Sequence, residues 1–198
     1  GDGRINLGLT GSGPNSWTHD GTPNGIYGLN GDALEWATGL RTYNGEIQIL
    51  SGNNAAKNSA DLTAGSAEWK AILPDGTLVA PGTDGTLKID IVGGVPKIMT
   101  TVTTTTSGDQ WPNTLFKSLA VGDGIAIPDL MKALALFPSD NSDHGEDRFY
   151  ARNDGEKCFY RGGRWYDTSG AGVFCLSGSS PRSSSYDAVG FRPAYIVL

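Results

Sequence analysis

The chain closes on "RGGRWYDTSGAGVFCLSGSSPRSSSYDAVGFRPAYIVL", residues 161–198, in which two kinds of residue alternate. Trp165, Phe174 and Phe191 are large anchors, set among Gly162, Gly163, Gly172 and Gly190. Ser177, Gly178, Ser179, Ser180, Ser183, Ser184 and Ser185 lie between them and carry too little apolar surface to build a core. A stretch that interleaves rigid anchors with interchangeable small residues needs an explanation from the rest of the chain.

At 198 residues the chain is long enough to bury a sizeable core as one domain. Its 29 glycines are about twice the average usage of roughly 7% and imply many turns. Five tryptophans and seven tyrosines point to an irregular globular fold with aromatic anchors. The net charge of −6 and the pI near 4.8 argue against nucleic acid and against polyanionic membrane surfaces, which call for surplus Lys and Arg. No apolar run approaches the ~20 residues that span a bilayer, so no membrane insertion is expected, and no secretory leader is recognisable.

Four zones follow from the texture. Residues 1–45 are rich in Gly, Asn and Asp; Ile26–Leu29 is a short apolar piece between turn signals, and "DALEW" reads as one helical turn or a short strand. Residues 46–110 read as a β-rich insertion. "GEIQIL" and "TLKIDIV" alternate with period two, and "WKAILPDGTLV" is strand, turn, strand. The β-branched "VPKIMTTVTTTT" predicts an exposed hairpin arm. "IPDLMKALALFP" predicts a helix, with proline in its first turn, Leu130, Leu134 and Phe137 at helical spacing, and Pro138 as its stop. A shorter helix is expected around Asn113–Leu119.

Catalytic residue types are sparse. His19 and His144 are the only histidines; both read as exposed loop residues, with no metal-ligand spacing. "DNSDHGED", Asp140–Asp147, reads as a solvated acidic loop before a cation site, because it lacks EF-hand spacing. No G-x-S-x-G elbow and no P-loop is present. Cys158 and Cys175 could pair, but the favoured reading is two semi-buried thiols. No catalytic residue, metal or cofactor is assigned: such a chain is expected to bind rather than convert.

Two segments carry a resemblance. "NGIYGLNGDALEW" (24–36) and "RGGRW…GVF…RS…GFRPA" in the closing stretch resemble motifs of the formylglycine-generating, sulfatase-modifying family, in the same order. The resemblance covers residues 15–45 and 146–198. It implies an α+β, C-type-lectin-like fold of the formylglycine-generating-enzyme type. Residues 1–198 would form a single domain, with 46–110 inserted and 161–198 as a C-terminal variable region. Trp36, Gly162, Gly163, Trp165, Phe174, Phe191 and Arg192 are then scaffold. Gly162 and Gly163 would let backbone approach backbone before Trp165 enters the core. Trp36 and Phe191 would be core aromatics, and Arg192 would spread its donors over loop carbonyls. The enzymatic branches do not carry over: their oxidase cysteine pair, their iron-binding His triad and the "EPN" or "QPD" of calcium-dependent lectins are all missing.

The closing stretch also looks like the variable region of a diversity-generating-retroelement target protein. Family tails have the frame "RGG-x-W-x-x-x-S-x-AGVF-x-L", then "RS-x-S-x-x-x-[IV]-GFR", and their open positions derive from Asn codons. In this chain the open positions are Arg164, Tyr166, Asp167, Thr168, Gly170, Cys175, Ser177, Ser179, Ser180, Ser184, Tyr186, Asp187 and Ala188. All are reachable from an Asn codon through its first two bases. Interleaving then has a physical purpose: buried anchors hold the backbone while outward side chains vary. Substitutions away from buried features usually cost within about 0.5 kcal/mol. The set of Tyr, Arg, Asp, Ser and Gly resembles a paratope.

The resemblance implies a ligand-binding display protein on a phage or prophage tail, or on a bacterial surface. Its partner would be a protein or glycan on a cell surface, and a trimer would suit a fibre tip. The alternatives are a sulfatase-modifying enzyme using cysteine redox chemistry and a structural tail or adhesin subunit. On the display reading, Tyr166 and Tyr186 share an exposed face with Arg164 and Asp187.

Overall fold

The "DALEW" stretch opens a strand. In the computed structural model, which describes residues 13–140 and 143–191, β1 is Leu34–Tyr43 and β2 is Glu46–Leu50. They pair antiparallel across Asn44–Gly45, whose φ values of 48° and 82° suit a two-residue hairpin turn. "WKAILPDGTLV" gives the antiparallel pair β3 (Trp69–Ile72) and β4 (Leu78–Val79). The turn between them is braced by Thr77 N–H donating to Asp75 at 2.8 Å. β5 (Lys88–Val92) pairs with β6 (Val95–Met99) across Gly93–Gly94. β7 (Asn113–Leu115), β8 (Ala120–Val121), the helix α1 (Asp129–Ala133), β9 (Arg148–Ala151), β10 (Glu156–Gly162), β11 (Gly172–Ser180) and β12 (Val189–Gly190) follow.

The result is a mixed, sheet-rich protein with few helices. The order along the sheet is β7-β9-β11-β10-β1-β2-β5-β6-β8, with β12 joined to β1 and β3–β4 to β2. The strands of residues 46–110 therefore continue the same sheet from β1. Ile47, Ile49, Ile72, Leu87, Ile89 and Ile98 share one core with Phe149, Phe159 and Leu176. No described helix is long and apolar enough to cross a membrane.

Several expectations are corrected. The helix predicted over "IPDLMKALALFP" is only Asp129–Ala133. Ala135 adopts φ 48°, and Arg161 donates to the carbonyls of Leu134 (2.7 Å) and Ala135, which a longer helix would have consumed. Met131 and Leu136 are buried there, while Leu130, Leu134 and Phe137 pack at the margin of the core. Asn113–Leu119 is a strand followed by a 3-10 turn, Phe116–Ser118. The Thr run leaves the sheet after Met99 because side chains capture its backbone. Buried Asp90 accepts from Thr103 Oγ1 (2.6 Å) and Thr104 N–H (3.0 Å), and Asn153 accepts from Thr106 N–H (2.8 Å).

β11 positions the site. It lies between β9, to which it is parallel, and β10, to which it is antiparallel. Because side chains alternate along a strand, it has two unlike faces. Phe174 and Leu176 belong to the core, and a Cβ on Gly178 would stand 2.4 Å from the Phe159 ring. Cys175, Ser177 and Ser179 point the other way.

Candidate functional site

The approach to β11 is built from Arg161, Gly162 and Gly163. The two glycines have φ of 89° and 74° and are buried. A Cβ on Gly163 would lie 2.6 Å from the Ala171 Cα, and one on Gly162 would lie 3.1 Å from the Leu29 carbonyl. Backbone thus approaches backbone, which only glycine allows at positive φ. Arg161 forks across the carbonyls of Leu134 and Ala135; Arg192, expected to act on loop carbonyls, lies outside the described residues.

Beyond this turn the outer face of β11 floors a cavity of about 490 Å³. Of the thirteen frame positions, Arg164, Asp167, Cys175, Ser177, Ser179, Ser180, Ser184 and Tyr186 line it. Leu34, Trp111, Tyr150, Arg152 and Pro181 complete the wall. Tyr150 and Arg152 alternate with the core residues Phe149 and Ala151 on β9, just as the serines alternate with Leu176 on β11. Two adjacent parallel strands therefore present one face to the core and the other to the cavity.

The charges here are largely cancelled. Arg164 donates to Asp167 through Nη2 at 3.0 Å and through Nε at 3.2 Å, and its guanidinium lies 4.5 Å over the Tyr166 ring. Arg152 donates to Asp154 at 3.0 and 3.3 Å. Burial pushes the Tyr186 phenol up to about 12. Burial also raises the Tyr150 phenol, with the Asp167 carboxylate adding to the shift.

Two buried hydroxyls differ in their surroundings. The Ser179 Oγ has no hydrogen-bond partner among the described residues. Burial pushes the Tyr160 phenol up, and the hydroxyls of Ser180, Ser184 and Tyr186 close to it pull the other way. An unsatisfied buried hydroxyl costs about 1–3 kcal/mol.

The remaining frame positions scatter around this centre. Tyr166 and Asp187 are exposed, as is the cavity-lining Tyr186. Thr168 and Gly170 form an outer 3-10 turn. Cys175, Ser179, Ser180 and Ala188 are buried, not outward as the paratope expectation had them. The first three lie beneath the cavity. Ala188 is inside because its carbonyl holds Leu34 N–H at 2.9 Å beside β12.

Among the scaffold residues, Phe174 packs on Phe116 with ring centroids 5.5 Å apart; Trp36, expected in the core, is half-buried and stands 4.0 Å from the Tyr160 ring outside the core cluster, because its neighbour Ala37 takes the core face of β1. Trp165 and Phe191 are corrections. Trp165 is 46% exposed and stands edge-on to Tyr166, because the Gly162–Gly163 turn carries the chain out over the surface. Phe191 is 77% exposed, just past the two-residue β12.

His144 is also corrected. It is buried between Phe116 and Phe174, with centroid distances of 5.4 and 4.6 Å, because the acidic loop folds inward at its end. Asp147 is buried with it, accepting from Phe174 N–H at 2.8 Å. Among the described residues no cluster of His, Cys, Asp or Glu could hold a metal. Cys158 and Cys175 are free and buried. Burial pushes the Cys158 thiol up and the Cys175 thiol up to about 12, away from the thiolate that redox chemistry needs.

No protein-family model matches this chain, and no curated protein matches it. The reading of the site therefore rests on its geometry. Arg161, Asp147, Tyr150, Arg152 and Trp111 escaped the sequence reading. "RFYA" followed by Arg152 carries the period-two signal that places Tyr150 and Arg152 on one face; Trp111, in irregular chain before β7, carries none.

Proposed function

We propose that the protein is a ligand-binding display protein with a C-type-lectin-like fold of the formylglycine-generating-enzyme type, whose closing stretch is a diversified recognition surface. It would act on a phage or prophage tail or on a bacterial surface, against a cell-surface ligand. One observation carries the reading: positions open in the retroelement frame converge on one cavity, while the closed position Leu176 on the same strand belongs to the core. Convergence of separate loop and strand positions on one concavity is what a binding site needs. Two protonated, buried thiols weigh against the cysteine-redox alternative.

The test is a library randomised at Arg164, Tyr166, Ser177, Ser184 and Tyr186. Most members should keep cooperative unfolding, and selection against an arbitrary protein target should yield binders whose affinity depends on these positions. Widespread loss of folding, or binders that map elsewhere, would sink the reading. A near-copy of the gene's 3′ end beside a reverse transcriptase, with adenines at the matching codons, tests the retroelement origin separately.

A further inference from the structure

We infer that the cavity is a subsite for one uncharged, hydroxyl-rich ring, a sugar residue of a neutral glycan, seated against Trp111 and Tyr150. Both aromatics lie outside the closing stretch, so they are constant walls beside changeable ones. The inference rests on the reading of β11 as a recognition strand and names what that strand receives.

Three features select this ligand. The guanidiniums of Arg152 and Arg164 are each engaged by a carboxylate, Asp154 and Asp167 respectively, so an ionic ligand would have to break an existing pair. Hydroxyls dominate the rest of the polar lining, and the Ser179 Oγ is buried without a hydrogen-bond partner among the described residues. A hydroxyl both donates and accepts, so the complement of many hydroxyls is a ligand bearing several of its own. A single inserted tyrosine side chain offers one and would leave the others unsatisfied. Trp111, 57% exposed at the wall, and Tyr150 provide apolar ring surface for the C–H face of a sugar. The volume falls in the range of small-ligand sites, roughly 300–1,000 Å³.

The test uses the whole chain and a panel of neutral and acidic methyl glycosides and oligosaccharides, read by saturation-transfer NMR and by tryptophan fluorescence. At least one neutral sugar should bind, and its affinity should fall about ten-fold or more in Trp111→Ala and in Ser179→Ala. Both variants should fold, since Trp111 is largely exposed and Ser179→Ala removes an unpaired buried hydroxyl; their melting temperatures should match or exceed that of the parent. Binding of acidic sugars alone, binding of no neutral sugar, or neutral-sugar binding that survives both substitutions overturns the inference. Peptides selected for binding to the parent chain that need Trp111 and Ser179, and that no neutral sugar displaces, overturn it too while leaving the recognition reading standing. A cavity that takes neither sugar nor peptide removes both.

Discussion

The carboxylate of Asp147 occupies the space that a side chain at Gly172 would fill: a Cβ there would stand 2.0 Å from Oδ1. The same carboxylate accepts from Phe174 N–H at 2.8 Å, so β11 enters the sheet keyed to a buried acid at the entrance to β9. Gly172→Ala must push the carboxylate aside and break that bond. It should cost about 2–4 kcal/mol in urea unfolding. A loss below about 0.5 kcal/mol would show that Asp147 does not hold the strand.

Two buried or half-buried acids should impose opposite pH slopes. Burial pushes the Asp147 carboxyl above its ordinary value of 3.8, and the N–H groups of Phe174 and Cys175 offset this only in part. Its contribution is fully present below that value and is lost as pH rises through the raised pKa. Asp154 behaves in the reverse sense. Burial pushes it up, but hydrogen bonds from Thr106, Arg152 and Lys157 outweigh this and leave it at about 2. Its contribution is present above 3.8 and is lost as pH falls toward 2. With screening of a carboxylate about a third exposed, the parent should lose on the order of 1–2 kcal/mol more than Asp154→Asn over that window. Parallel urea curves for the two proteins down to acid pH would disprove this.

The Pro74–Asp75–Gly76 hairpin was legible because turn chemistry is local and these residues dictate their own backbone; the Asn44–Gly45 hairpin was not read, because only "DALEW" marked its first strand. The helix was over-read because its stop is remote. Leu134 and Ala135 lose their helical bonding to Arg161, which follows them by more than twenty residues. Burial of His144 was invisible for the same reason, since its neighbours Phe116 and Phe174 come from distant segments. At the site, the interleaving of anchors with small residues was legible in the closing stretch and in the frame it resembles, but not that Gly172–Ser180 is a strand, since its serines and glycines carry little β propensity. The contribution of Trp111 was not legible, because only the tertiary fold carries the chain before β7 to the cavity.

Neither thiol should react in the native protein. Cys158 and Cys175 are buried, and burial holds both thiols above their ordinary range, Cys175 at about 12. Ellman titration near pH 8 should therefore find no fast thiol in the folded state and both after denaturation. Rapid native modification of Cys175 would mean that the cavity floor opens, and would revive the redox alternative.

The closing stretch's glycines should differ sharply in tolerance. Gly163 has φ 74° and a Cβ there would meet the Ala171 backbone at 2.6 Å, whereas a Cβ on Gly190 meets nothing within 4 Å. Gly163→Ala should cost about 2 kcal/mol or more, and Gly190→Ala should stay within about 0.5 kcal/mol. Equal effects in thermal unfolding would show that the Arg161–Gly163 turn does not set the path into β11.

Adjacent residues on β11 provide the sharpest contrast. Leu176 is fully buried in the core, and Ser177 faces the cavity from the other side of the same strand. Leu176→Ala removes packed apolar volume and should cost about 2–5 kcal/mol. Ser177→Ala should leave stability within about 0.5 kcal/mol, because that side chain supports no core contact. Binding by a variant recovered from the library selection should respond in the opposite order once folding is accounted for, with alanine at position 177 weakening it and folded Leu176→Val retaining it. If instead the serine carried the stability, the strand would have no face free to change, and a diversified surface could not be built on it.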